Sequence, residues 1–180
     1  MPLLPKETEI FPEVIFDLTE PWRVVHVRSR QEKMLSRHLL QNGVPFYLPQ
    51  IEKTIVRSGR RLASHIPLFP GYVFFRGGPA ARQTALRSNV VANVIEVEDQ
   101  ELLGGELRQI RKLQLAGASL IPVETFVPGD SVRIIEGVFA GYQGSVVRTR
   151  RGDRLLVSVS LLRKAIAVEF PSGALKRRSR

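Results

Sequence analysis

The chain of 180 residues contains no cysteine, which excludes disulfides and thiolate metal sites. It has one tryptophan and three tyrosines, so its aromatic content lies mostly in nine phenylalanines. No apolar run approaches the ~18 residues that a membrane-spanning helix requires. The opening stretch, MPLLPKETEIFPEVIFDLTEP, has only Lys6 ahead of any apolar segment. Acidic residues interrupt it and no small-residue cleavage site follows, so it makes a poor signal peptide. The expected compartment is the cytoplasm, with no membrane partner. Histidine is scarce. His26, His38 and His65 stand in unrelated contexts, and none has the spacing of a paired metal ligand. Gly77-Gly78 and Gly104-Gly105 lack the pattern of a phosphate loop, and no G-x-S-x-G occurs. Catalysis needs a nucleophile, a base and an orienting group within mutual reach. The sequence nominates none of the three and no metal or cofactor, so the chain is expected not to be an enzyme.

What the sequence does have is positive charge. Lysine and arginine number 27 against 17 carboxylates, a net of +10 with a sequence pI near 10.8. Residues 1–20 set Lys6 against Glu7, Glu9, Glu13, Asp17 and Glu20, a local net of −4, so the remaining residues carry +14. Such a body suits contact with a polyanion, most simply nucleic acid. It equally suits a solvated, solubilising face, and charge alone does not separate the two.

Along the chain, residues 1–20 read as a loose leader, because Pro2, Pro5 and Pro12 break helices and the carboxylates oppose burial. Order is expected from Trp22. WRVVHV (22–27) is a β-branched strand. Met34, Leu35 and Leu39 then fall at helical spacing, and Asn42-Gly43 provides a stop. Residues 45–57 are extended, and Ser58-Gly59 turns the chain into RLASHIPLF, which predicts a hairpin. GYVFFR (71–76) is a further strand, residues 79–87 form a short helix, and VVANVIEV (90–97) is another strand. Leu103, Leu107, Ile110 and Leu113 make one helical stripe, with a late start at Gly104-Gly105 and an end at Gly117. The order of strand, helix, two strands, helix, strand and helix fits a split βαβ plan: a mainly antiparallel sheet with helices on one side. AGASLIPVET has no period and reads as a linker. From Phe126, short β-rich runs alternate with Gly-containing turns, as in a small all-β barrel of roughly 50 residues, near the lower limit for an independent domain.

Two stretches resemble a known family. PLFPGYVFF (67–75) resembles the matching stretch of the N-terminal, NGN-type domain of NusG proteins. PGDSVRIIEGVFAGYQGSV (128–146), followed by LLVSVSLLRKAIAVEF (155–170), resembles their C-terminal KOW motif and its continuation. KOW occurs in ribosomal proteins too. Its combination with W-x-V-V near the start and F-P-G-Y-V in the middle is the specific signal, and the match runs over residues 22–175. VRSGRRLASHIPLFP is similar to the operon-specific RfaH subgroup, whereas VSVSLLRKAIAVEF is similar to ordinary NusG. The resemblance implies an α+β chain. Residues 21–116 would form an NGN-type α/β sandwich with a mainly antiparallel sheet, and 117–124 a linker. Residues 125–176 would form a small, SH3-like KOW barrel, and 177–180 a basic tail behind the 1–20 leader. The C-terminal domain of RfaH can be helical, but the Val-rich, Gly-punctuated segment here favours a β barrel throughout.

The resemblance also implies a function. The chain would be a monomeric transcription elongation or antitermination factor. Its N-terminal domain would bind the clamp of the largest RNA polymerase subunit and suppress pausing or termination. Phe69, Pro70, Tyr72 and Phe74 match the pocket that grips the clamp. Tyr72 and Phe74, two apart on a strand, share a face, with Val73 and Phe75 on the other. Arg28, Arg30, Arg37, His38 and Arg87 are the candidates for the non-template DNA strand. Arg28 and His38 match RfaH positions that touch this strand, whereas Met34 and Ser88 stand where RfaH has arginine. Phe139, Leu161, Leu162, Arg163 and Lys164 match the KOW surface that binds a ribosomal protein or Rho. NusG proteins commonly carry Phe in place of Leu162 and Gly in place of Arg163. The competing class is an RNA- or ribosome-binding KOW protein without polymerase activity, which explains the charge and the barrel but leaves F-P-G-Y-V without a purpose.

Overall fold

The computed structural model describes residues 8–57, 59–123, 130–133, 143–149, 152–169 and 176–177. The chain divides into two compact units, Met1–Gln100 and Glu101–Arg180.

The first unit is built on a five-stranded sheet of β1 (Ile10–Phe11), β3 (Phe46–Tyr47), β6 (Tyr72–Arg76), β2 (Trp22–Val27) and β7 (Val91–Ile95), in that spatial order. Every pairing in it is antiparallel. Helix α1 (Glu32–Gln41) follows β2 and helix α2 (Pro79–Arg87) follows β6. Proline at the first position of α2 fits its start, where the missing N–H costs nothing. At the other end of α1, the Asn42 side-chain amide donates to the His38 carbonyl at 2.8 Å and closes the helix where the sequence predicts a stop. β4 (Gln50–Arg57) and β5 (Arg60–Pro67) form a separate two-stranded ribbon.

Strand alternation sorts the side chains of the sheet into two layers. Val25, Val27, Val73 and Phe75 join Leu35 and Leu39 of α1 and Ala85 of α2 in one apolar core. On the opposite face β2 and β6 stack three cross-strand pairs in register: Trp22 with Arg76, Val24 with Phe74, and His26 with Tyr72. The Arg76 guanidinium lies 4.4 Å from the Trp22 ring centroid, a cation–π contact.

The leader departs from the expected loose segment. Ile10 and Phe11 pair with Tyr47 and Phe46, and Ile15 is fully buried in a short 3-10 turn over Ile15–Asp17. Phe16 sets its ring 5.7 Å from Trp22 and 5.5 Å from Tyr47. The carboxylates between these apolar residues, Glu13 and Asp17, are exposed, so the segment is amphipathic over too short a span to show a period.

The second unit opens within α3 (Gln100–Leu115), which begins at Gln100 and runs through Gly104-Gly105 without the late start expected. Leu103, Leu107, Ile110 and Leu113 are buried on one stripe, as predicted. The division between the two compact units falls after Gln100, the first residue of this helix. A six-stranded antiparallel sheet follows, in the order β13 (Lys176–Arg177), β9 (Asp130–Arg133), β10 (Gln143–Thr149), β11 (Gly152–Val159), β12 (Lys164–Glu169) and β8 (Leu120–Val123). The expected linker at 117–124 is thus in large part β8, paired with β12, and Arg177 of the expected tail belongs to β13, paired with β9. Pro122 is tolerated in β8 because β8 is an edge strand, where one row of donors is unused. Val157, Val159, Ile166 and Val168 are buried, so the C-terminal region has its own apolar side and is β structure, as its composition predicts.

The packing of Phe16 yields a direct test. Phe16→Ala should lower unfolding stability by about 2–3 kcal/mol in a denaturant titration, somewhat less than a fully buried Phe truncation. Val14→Ala, at a site 56% exposed, should change it by less than ~0.5 kcal/mol. Equal effects would mean that the leader does not pack as described.

Candidate functional site

The F-P-G-Y-V motif makes a tight turn at the end of the aromatic face. Tyr72 N–H donates to the Phe69 carbonyl at 3.1 Å, with Pro70 and Gly71 in the two central positions. Gly71 has φ +87°, the value a type II turn demands at this place, and proline pre-sets the position before it. A side chain at 71 would also meet the His26 ring, whose Nε2 lies 2.9 Å from where its Cβ would stand. Two contacts fix the turn to the body. The Gly71 carbonyl accepts from Val27 N–H at 2.8 Å, and Gly71 N–H donates to the carboxylate of Glu32 at 2.7 Å. Glu32, in the first turn of α1, is 6% exposed. A carboxylate accepting a backbone N–H out of solvent is a charge-assisted bond, stronger than its neutral counterpart.

This geometry divides the four aromatic-turn residues. Phe69 and Phe74 are buried, at 2% and 0% exposure, with their rings edge to face at 5.9 Å. Their burial is what a strand face covered by its own domain gives, and neither ring lines an open pocket. Alternation along β6 places Phe74 on the correct face but says nothing about what lies over it. Pro70 is exposed and Tyr72 half-buried. The Tyr72 ring lies 5.1 Å from the exposed His26 ring, at a tilt of 49°. The accessible end of the face is therefore His26, Pro70 and Tyr72. Sequence reasoning passed over His26 as a site residue, although its place two residues after Val24 on β2 puts it on this face. Glu32 was also missed, because nothing local links it to a turn 39 residues away.

The basic candidates gather around the ends of α1 and α2. Arg28 and Arg30 lie in the exposed turn between β2 and α1, with Arg30 at φ +60°. The Arg28 N–H donates to the Val90 carbonyl at 2.9 Å, which holds this turn beside the segment just after α2, where Arg87 is exposed. His38 is half-buried, and its Nε2 lies 2.9 Å from the Thr84 carbonyl of α2. Its ring bridges the helices instead of standing open to a ligand. Arg37, beside it on α1, is exposed. The structure thus brings Arg28, Arg30 and Arg87 to one end of the helical layer.

In the second unit Leu161 and Leu162 are half-buried, Arg163 is exposed and Lys164 is half-buried. Phe139 lies outside the described residues. Arg163 has φ +50°, a left-handed conformation that favours glycine. Ser160, just ahead of this loop, donates from its N–H to the Glu106 carboxylate of α3 at 3.0 and 3.1 Å, and from its hydroxyl at 2.5 Å. This three-contact clamp sets where the loop starts, and no sequence signal announced it. Among the described residues no helix is long and apolar enough to cross a membrane, and no cluster of three or more His, Asp or Glu side chains could hold a metal ion.

The Gly71 geometry predicts that Gly71→Ala costs about 1–2 kcal/mol of stability, the penalty of a left-handed L-residue. It should also displace the His26 ring, visible as a shift of the His26 and Tyr72 resonances in NMR spectra. A variant as stable as the parent, with those resonances unmoved, would refute the turn as described.

Comparison with known proteins agrees with this architecture. Residues 20–114 match the family model described as transcription termination factor nusG. The transcription termination/antitermination protein NusG of Buchnera aphidicola is 28% identical over 136 residues, covering 68% of this chain and 72% of that protein. The Pseudomonas aeruginosa protein of the same name is 25% identical over 184 aligned positions, covering 85% and 96%. The structure titled "Domain interaction in Thermotoga maritima NusG" aligns with a TM-score of 0.51 at 20% identity, covering 89% of this chain and 98% of that one, which supports the fold. The chain belongs to the NusG family of non-enzymatic transcription termination and antitermination factors.

Proposed function

We propose that this protein rides on RNA polymerase and raises the processivity of transcription. The N-terminal unit binds the clamp of the largest polymerase subunit through the F-P-G-Y-V turn. Pro70, Tyr72 and His26 make the contact, and the buried Phe69–Phe74 pair sets their position. The observation that carries this reading is the ring pair of exposed His26 and half-buried Tyr72, at the accessible end of an otherwise buried aromatic face, on a turn held by Glu32. An exposed aromatic on a rigid support has the character of a binding hot spot, because little side-chain entropy remains to be lost.

Arg28, Arg30 and Arg87, with Arg37 nearby, face the non-template DNA strand in this reading, while His38 holds α1 to α2. The contact is with phosphate and needs no base reading, since the edge offers cations and few aromatics. A factor that binds the closed clamp better than the open one shifts the polymerase away from paused and termination-prone states by that difference in affinity. The KOW unit then recruits a ribosomal protein or Rho through the loop at 161–164. Tethering to the polymerase raises its effective concentration, so even a weak second contact is productive.

The test is binding to a reconstituted bacterial elongation complex. Tyr72→Ala should weaken binding by about 2 kcal/mol, roughly 30-fold, while the thermal unfolding midpoint stays near that of the parent. Unchanged affinity for the folded variant would remove the turn from the interface. Failure of the parent itself to bind polymerase, with tight binding to ribosomes, would favour the ribosome-binding reading.

A further inference from the structure

Among the described residues, the ribbon of β4 and β5 pairs with no strand of the five-stranded sheet of the first unit. Its base is anchored, with Gln50 buried and Leu68 N–H bonded to the Pro49 carbonyl at 2.7 Å. Beyond the base it is open to solvent: Lys53, Thr54, Val56, Gly59 and Arg61 are all exposed. The two strands run eight residues each in unbroken register from Gln50↔Pro67 to Arg57↔Arg60. A two-stranded ribbon alone is marginally stable in water, and its outer edges leave backbone donors and acceptors unpaired. A surface this costly to maintain calls for a use.

Its charge points to one. The carboxylate of the ribbon, Glu52, sits near the base, where it lies 3.9 Å from Nε2 of its cross-strand neighbour His65. From residue 53 to 64 there are four cations, Lys53, Arg57, Arg60 and Arg61, and no acid. Arg57 and Arg60 are direct register partners flanking the turn, and Val56 pairs with Arg61. Like charges placed directly opposite one another destabilise a ribbon. The distal half of the hairpin holds four cations in its sequence with no acid between them to balance the charge, an arrangement suited to an anionic partner. The shape narrows the partner. The major groove of B-form DNA is wide enough to admit a two-stranded β-ribbon, whereas the deep, narrow major groove of an A-form RNA helix is closed to side chains.

We propose that the distal half of the β4–β5 ribbon is a second nucleic-acid contact, which grips the phosphate backbone of duplex DNA independently of sequence. This contact does not depend on the polymerase, so it is testable on the protein alone. The competing use of basic residues on a bare ribbon is to prevent edge-to-edge aggregation.

The experiment measures affinity of the full chain for a mixed-sequence duplex across a salt series. The quadruple variant K53Q/R57Q/R60Q/R61Q is compared with the charge-retaining R57K/R60K/R61K. Each phosphate contact contributes ~0.9 to the slope of log affinity against log salt, so the quadruple variant should flatten the slope by about 2–4. It should bind at least about tenfold more weakly at low salt, with its unfolding midpoint unchanged or raised. The lysine variant should keep the parent slope. An unchanged slope and affinity in the quadruple variant would overturn the proposal, and new self-association in that variant would identify the cations as guards against aggregation. A slope lost in the lysine variant would overturn recognition by charge. An equal loss on single-stranded RNA of the same length would overturn the assignment to duplex DNA.

Discussion

The pairing of β2 with β6 is the constraint from which the first unit follows. Its register, Val25 opposite Val73 and Val24 opposite Phe74, commits alternate residues to opposite sides of one sheet. One side becomes the apolar core under α1 and α2, and the other becomes the aromatic face. A slip of β6 by one residue would turn its side chains over, moving Tyr72 and Phe74 to the core side and Val73 and Phe75 to the other. The bond from Gly71 to Glu32 fixes the end of this ladder, so the position of the turn is set by the helix on the far side of the sheet. The register thereby connects core packing to the site: the same strands that build the core present Pro70, Tyr72 and His26.

The aromatic face grades from sealed to open along its length. At one end Trp22 is covered by Phe16 and the Arg76 guanidinium. In the middle Phe74 is enclosed with Phe69. At the other end His26 and Tyr72 meet solvent. The gradient supports a division of labour in which the buried rings supply rigidity and the open rings supply the contact. The basic turn at Arg28 and Arg30 begins just past the end of β2, two residues after His26, so a partner seated on the open rings has cations beside it.

Much of this was legible in the sequence, and the exceptions have physical causes. The β-branched runs, the Leu103–Leu113 stripe and the Asn42-Gly43 stop declared the main elements, because each is long enough for its period or its terminator to stand out. The leader did not declare itself. Pro12 and Glu13 separate Ile10 from Ile15 and Phe16, and a two-residue strand has no period to detect. β8 was hidden by Pro122, which argues against a central strand but permits an edge one. The family motif pointed to the F-P-G-Y-V strand as the candidate site, and alternation assigned its faces. Neither could report that Phe69 and Phe74 are covered while His26 is not, since burial depends on elements distant in sequence. The Glu32–Gly71 and Glu106–Ser160 contacts were beyond reach for the same reason.

The central claim is that the His26–Tyr72 end of the aromatic face meets the polymerase clamp. The most direct measurement is site-specific photocrosslinking. A photoreactive phenylalanine analogue replaces Tyr72, or in a control Thr54 on the separate ribbon, and the protein is bound to an assembled elongation complex. The account predicts a crosslink from position 72 to the largest subunit, mapping to its clamp, and none to the clamp from position 54. Crosslinking from 72 to another subunit alone, or to none while the protein stays bound, would contradict it.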